Sequence, residues 1–175
     1  MNKHLQTKFY KLETSREKII PVFVSGNSDT LKKKPAADKW SVLQILNHII
    51  KTEQMSMIAL KRGLKDFQSK EKTGLAESIK TILLRVTLNT PLKFKAPKGA
   101  GDIPEQPILN DMLKKWEVIR KDLKDFFDTI PQEAMKKNLF NHPYSGKMNI
   151  FHAADFLVSH SEHHYRQIKK LVRPS

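Results

Sequence analysis

Apolar residues along the chain recur every three or four positions in five stretches, which is the spacing of amphipathic helices. Four stretches are long and one is short, and no segment keeps the two-residue alternation of a strand. The pattern predicts an all-α protein: a four-helix bundle with one extra short helix, in a single domain over residues 1–175. The stretches run from about Leu5 to Phe23, Val42 to Leu64, Leu75 to Leu88, Asn110 or Asp111 to Phe127, and Asn149 to Val172.

Polar and helix-breaking residues separate these stretches. Ser41 precedes the second stretch and Asn149 the last, and both residue types accept hydrogen bonds from free N–H groups at helix starts. The segment from Pro91 to Pro107 contains four prolines, its two ends included, and two glycines, which predicts a long loop. A second loop is expected over Asn141–Lys147, so long connections join the helices.

The last stretch carries three of the seven histidines within five positions, His160, His163 and His164. At about 100° per residue, His160 and His164 share the apolar face, and His163 lies at its edge. His48 points inward on the second long helix by the same argument. Three inward imidazoles from two helices can hold one transition metal, although a hydrogen-bonded core pair without metal is the alternative.

The remaining histidines are weaker metal candidates. His4 is terminal, His142 is a loop residue before Pro143, and His152 lies away from the inward face. Glu53 and Glu162 are candidate general bases by their proximity to the histidines in sequence alone. We expect both to be solvated, which leaves the chain without an assured general base.

The chain contains no cysteine, so any metal must be held by nitrogen or oxygen ligands. This composition suits a reducing compartment, and we expect a cytoplasmic protein. The N-terminus lacks the apolar core of a signal peptide, and charges interrupt every apolar run. We therefore expect no membrane partner.

The formal net charge of +14 raises the question of nucleic-acid binding. The lysines, however, are scattered, and the one tight run, Lys32–Lys34, falls in a predicted loop. No helix-turn-helix or zinc-finger spacing is present, and no aromatic residues alternate with arginine. A solvated basic surface is the favoured interpretation, and a nucleic-acid partner is not expected.

Three segments together resemble the DinB-like (DinB/YfiT) superfamily of metal-dependent four-helix-bundle proteins: Lys39–His48, His142–Asn149 and His160–Ile168. The resemblance implies a three-histidine metal site with the ligands His48, His160 and His164. The bound metal in that family is commonly zinc or nickel. The resemblance is also compatible with a homodimer, which nothing in the sequence decides.

Three further residues are candidates for contacts near such a site. Gln167 falls beside His160 on the inward face and could orient an imidazole or a substrate. Trp40 and Tyr144 could line a pocket, although core packing and loop anchoring are the simpler roles for them.

The resemblance implies an enzyme that acts on a small molecule. Some members are S-transferases that use a low-molecular-weight thiol such as bacillithiol, and others are hydrolases. A divalent metal suits both reactions because it lowers the pKa of a bound thiol or water. A non-catalytic bundle that binds a partner or nucleic acid is the alternative from another class.

Overall fold

The computed structural model describes residues 1–90 and 101–172. Six helices and two short strands follow one another there, and the all-α prediction is confirmed. In chain order they are α1 (Lys3–Val24), α2 (Ser28–Lys32), α3 (Val42–Lys65), α4 (Leu75–Leu88), α5 (Leu109–Thr129), β1 (Phe140–His142), β2 (Gly146–Met148) and α6 (Ile150–Leu171).

The four long helices form the bundle. Helix α1 packs against α5 and α6, and α3 packs against the same two helices. Helices α1 and α3 therefore lie on one diagonal, and α5 and α6 on the other. Helix α4 lies outside the bundle, where it packs on α6 and on β2.

Two short elements depart from the sequence-based prediction. The segment expected as a loop over Asn141–Lys147 forms most of an antiparallel hairpin, in which Phe140 pairs with Met148. Each strand has three residues, which is too short for an alternating pattern to be recognised. The five-residue helix α2, capped by Asn27, was also not predicted.

Part of the predicted long loop from Pro91 to Pro107 lies outside the described residues, which resume at residue 101. Between there and Ile108 the chain forms no helix or strand.

Both helices that carry the candidate ligands start at the predicted caps. The Ser41 hydroxyl accepts from the backbone N–H of Gln44 at 3.2 Å, and the Gln44 side chain accepts from the N–H of Ser41 at 3.1 Å. The Asn149 side chain accepts from the N–H of His152 at 2.9 Å. These contacts set where α3 and α6 begin, and therefore which residues face inward.

The hairpin lies directly against α3 at Gly63. A Cβ atom on Gly63 would stand 1.9 Å from the carbonyl oxygen of Leu139, so only glycine permits this approach. Gly146 adopts a φ of +76° in the hairpin, a value that also favours glycine. The two glycines let the hairpin close one side of the bundle next to the candidate site.

Buried apolar residues form two clusters, one toward each end of the bundle. A belt of buried polar side chains lies between them and includes Thr52, Glu53, Arg120, Ser161 and the three inward histidines. In the ranges 1–90 and 101–172, no helix is both long and apolar enough to cross a membrane.

Candidate metal centre

The three inward histidines meet within the polar belt. His48 comes from α3, and His160 and His164 come from successive turns of α6. Their ring centroids lie 5.0 Å apart for His48–His160, 4.9 Å for His48–His164 and 4.5 Å for His160–His164. All three side chains are buried, and one ring nitrogen of each lies within 4.8 Å of the others.

The donor set fits a transition metal. The Nε2 atoms of His48 and His160 are 3.1 Å apart. A tetrahedral ion with metal–nitrogen bonds of about 2.0–2.1 Å holds its nitrogens about 3.3 Å apart, close to this separation. In the described ranges, no other group of at least three histidine, cysteine, aspartate or glutamate side chains is similarly close.

Two of the rings, those of His160 and His164, are also in the protonation state that binds a metal. Burial lowers the pKa of His164 to about 3, with a further contribution from His48. Burial likewise holds the pKa of His160 well below its ordinary value, and the neighbouring imidazoles add to the effect. Neutral imidazole is the form that coordinates metal ions, so these two rings need not lose a proton at neutral pH.

Gln167 contacts one candidate ligand. Its Oε1 atom lies 2.9 Å from Nδ1 of His164, and because an amide oxygen only accepts, Nδ1 carries the hydrogen. Nε2 of His164 is then the nitrogen with a free lone pair. Gln167 was expected beside His160; the structure places it on His164, one helical turn away.

The other two candidate ligands pack against neighbouring aromatic rings. His48 packs against Trp40, with ring centroids 4.8 Å apart. His160 packs against Phe156 at 5.4 Å, and among residues 1–90 and 101–172 its buried Nδ1 atom has no hydrogen-bond partner. Trp40 is half-buried and also contacts the neighbouring apolar cluster, so it serves both the core and the site.

A cavity of about 520 Å³ opens beside the histidines. Helices α3, α4 and α6 and the hairpin form its walls, and Trp40 and Tyr144 both border it. Tyr144 is 56% exposed, which places it at the rim. The three candidate ligands therefore lie in the wall of a space that a small molecule can enter.

His142 ends β1 and is buried on the same cavity wall. Its Nδ1 atom accepts from the backbone N–H groups of Tyr144 at 3.2 Å and Ser145 at 3.3 Å. His142 was expected in a loop; the structure places it at the end of a strand, where its ring holds the turn of the hairpin. Burial lowers the pKa of His142 to about 4, so the ring is neutral at neutral pH.

Glu53 was expected to be solvated, and the structure shows that this expectation was wrong. Its carboxylate is buried, and it accepts from Arg120 at 2.7 Å, Trp116 at 2.8 Å and Ser161 at 3.3 Å. A signal for this burial was present in the sequence. Glu53 lies five residues after His48 and four residues, about one helical turn, after the inward-facing Ile49. Glu162, in contrast, is exposed as expected.

The remaining histidines differ in their distance from the site. His4 is exposed and packs on Phe151, and His152 is half-buried without bordering the cavity. His163 borders the cavity, and its Nδ1 atom lies 2.7 Å from the carbonyl oxygen of Leu88. The sequence placed His163 at the edge of the inward face but gave it no partner.

The fold and the three converging imidazoles define a helical-bundle protein with a candidate metal centre, and sequence comparison identifies its family. The chain belongs to the DinB superfamily, whose sequence model matches residues 11–168. It is similar to the uncharacterized protein YuaE of Bacillus subtilis (strain 168). The two chains are 26% identical over 162 residues, which cover 92% of this chain and 91% of YuaE.

Proposed function

We propose that this protein is a metal-dependent enzyme that acts on a small molecule, with His48, His160 and His164 as the metal ligands. The observation that carries this proposal is the meeting of three buried imidazoles in the wall of a cavity. Three protein ligands leave a coordination position for substrate, which is the arrangement of catalytic rather than structural sites.

A divalent ion at this position would supply Lewis acidity and would lower the pKa of a thiol or water that it binds. The chain's own residues orient the candidate metal ligands and enclose the cavity. Gln167 fixes the ring of His164, Trp40 packs on His48, and the apolar cavity wall excludes water around the reacting groups. Zinc and nickel both suit a site of neutral imidazoles.

The reaction we favour is transfer of a small external thiol, such as bacillithiol, to an electrophilic compound. The chain has no cysteine to supply the sulfur, so the thiol must enter as a substrate. The net charge of +14 would attract an anionic thiol to the surface. Hydrolysis is the competing reaction on the same scaffold.

Metal analysis of the purified protein tests the site. We expect about one equivalent of zinc or nickel, retained in His152→Ala and lost in His160→Ala and His48→Ala. His152 is the matched control because it lies on the same helix as His160 without bordering the cavity. Metal-free protein that cannot be loaded, together with strongly salt-dependent DNA binding, would replace this proposal with a binding role.

Thiol consumption tests the reaction. The metal-loaded protein is mixed with a panel of small thiols and a generic electrophile, and the loss of free thiol is followed. We expect the wild-type protein to consume at least one of the thiols and the His160→Ala variant to consume none. Consumption with no thiol, combined with cleavage of an ester or amide, would assign hydrolysis instead.

A further inference from the structure

The wall of the cavity beside the histidines is mostly apolar. Helix α4 contributes Leu83, Leu84 and Leu88, and α3 contributes Met55 and Ala59. Among the described residues that line the cavity there is no aspartate, glutamate or arginine, and one lysine. The volume of about 520 Å³ is within the range of small-molecule sites. The wall therefore favours a ligand with an apolar body.

His163 adds a directed polar group to this wall. Its Nδ1 atom is 2.7 Å from the carbonyl oxygen of Leu88, the last residue of α4. Because a carbonyl oxygen only accepts, Nδ1 must carry the hydrogen, which leaves Nε2 as the ring nitrogen that can accept a hydrogen bond. Arg166 donates to the same carbonyl at 3.0 Å, so the group that orients His163 is itself held.

The acceptor atom is available to a ligand. His163 is half-buried and borders the cavity, and within the described part of the chain its ring makes a hydrogen bond through Nδ1 and none through Nε2. Its ring centroid lies 4.9 Å from that of His164, so the acceptor stands next to the candidate metal site.

We propose that the cavity binds a mainly apolar small molecule through a hydrogen bond from a ligand O–H or N–H group to Nε2 of His163. The proposal names the class of substrate for the cavity beside the candidate metal centre. It rests on the proposed function because it treats the ligand as a substrate. His163 acts as a positioning residue: it anchors the donor group of the ligand beside His164 while the apolar body packs against α4.

A matched pair of probes tests the hydrogen bond. 2-Naphthylmethanol offers an O–H donor, and its methyl ether has nearly the same apolar body without one. Isothermal titration should show that the wild-type protein binds the alcohol about five- to tenfold more tightly than the ether. His163→Phe should bind both probes equally, whereas His152→Phe should keep the wild-type preference. Equal binding of both probes by the wild type, or an unchanged preference in His163→Phe, would overturn the proposal.

A second pair of variants tests the location. Ala59→Phe places a ring in the cavity and should abolish binding of both probes. Ala76→Phe, at an exposed position of α4 that does not border the cavity, should bind as the wild type does. Probe binding that survives in a folded Ala59→Phe variant would place the ligand elsewhere and refute the proposal.

Zinc titration of the same proteins separates this proposal from the metal proposal. His163→Phe should still bind one equivalent of zinc while losing the preference for the alcohol. A wild-type protein that shows the preference but binds no metal would refute the proposed enzyme and leave the ligand site standing. A protein that binds metal but neither probe would refute the ligand site and leave the metal proposal standing.

Discussion

Glu53 and Arg120 form an ion pair inside the bundle, with 2.7 Å between Oε1 and Nη2. Their side chains are 1% and 2% exposed. Trp116 donates to the second carboxylate oxygen and the Ser161 hydroxyl to the first, so one carboxylate joins α3, α5 and α6. Because Ser161 follows His160 directly, this network stabilises the two helices that carry the candidate ligands.

Removing the cation from this pair should be strongly destabilising. Arg120→Met leaves the Glu53 carboxylate buried without its charge partner, and we expect the free energy of unfolding to fall by about 3–5 kcal/mol. Urea unfolding at pH 7 measures the loss. Arg62→Met, an equivalent change at an exposed position of α3, is the control and should cost less than about 0.5 kcal/mol. Equal losses in the two variants would show that the pair does not stabilise the fold.

Gln167 should tune metal binding without being required for it. Gln167→Leu removes the acceptor for Nδ1–H of His164, and we expect zinc affinity to fall about ten- to hundredfold. Gln167→Glu keeps an acceptor at this position and should preserve the affinity. Competition titration with a chromophoric chelator measures all three proteins, with Gln132→Leu as a control away from the cavity. Unchanged affinity in Gln167→Leu would show that the contact does not orient a ligand.

Stability should depend on pH through the buried histidines. The pKa of His142 is about 4 in the folded protein against an ordinary value of 6.5. Between these values the unfolded chain binds a proton that the folded ring does not. The free energy of unfolding is therefore highest above pH 6.5. It decreases as the pH falls toward 4, by about 3 kcal/mol for this residue. The depressed pKa values of His160 and His164 act in the same direction.

Urea unfolding at pH 7 and pH 4.5 with a chelator present checks this dependence. His142→Asn keeps an acceptor for the N–H groups of Tyr144 and Ser145 but cannot take up a proton. It should lose less stability than the wild type over this interval, whereas His4→Asn at the exposed N-terminus should behave as the wild type does. The same acid-induced loss in His142→Asn and in the wild type would contradict the assignment.

The close approach of the hairpin to α3 should make Gly63 intolerant of any side chain. Gly63→Ala forces a methyl group into the Leu139 carbonyl, and we expect a loss of at least about 1–3 kcal/mol as the hairpin moves. Gly74→Ala meets only the flexible Glu77 side chain and should cost less than about 1 kcal/mol. Thermal unfolding compares the two variants. Similar melting temperatures would show that the hairpin is not held against α3.

Local signals in the chain were enough to locate most of the helices. Periodicity placed α3, α4 and α5 within one or two residues of their observed ends, and Ser41 and Asn149 marked the starts of α3 and α6. The hairpin was not found because three-residue strands leave no readable period. Its close approach to α3 depends on Gly63, whose role appears only when α3 and the hairpin are brought together.

For the polar residues near the site, local patterns predicted the orientation of some side chains and not of others. The shared face of His160 and His164 follows from helical geometry, because residues four apart stack on one side. The position of Glu53 on α3 did not by itself predict that its carboxylate is buried. Its burial depends on Arg120 and Trp116, which lie more than sixty residues away in sequence.

The sequence alone determined the four long helices and α4, their inward faces and the three imidazoles available to a metal, since each helix and its inward face follow from residues within a few turns of one another. The tertiary structure decided which side chains meet. The 3.1 Å approach of His48 to His160, the Glu53–Arg120 pair and the cavity bordered by α4 depend on how helices pack across long separations in the chain. That packing is set by the shape and burial of whole faces, which a local pattern does not encode.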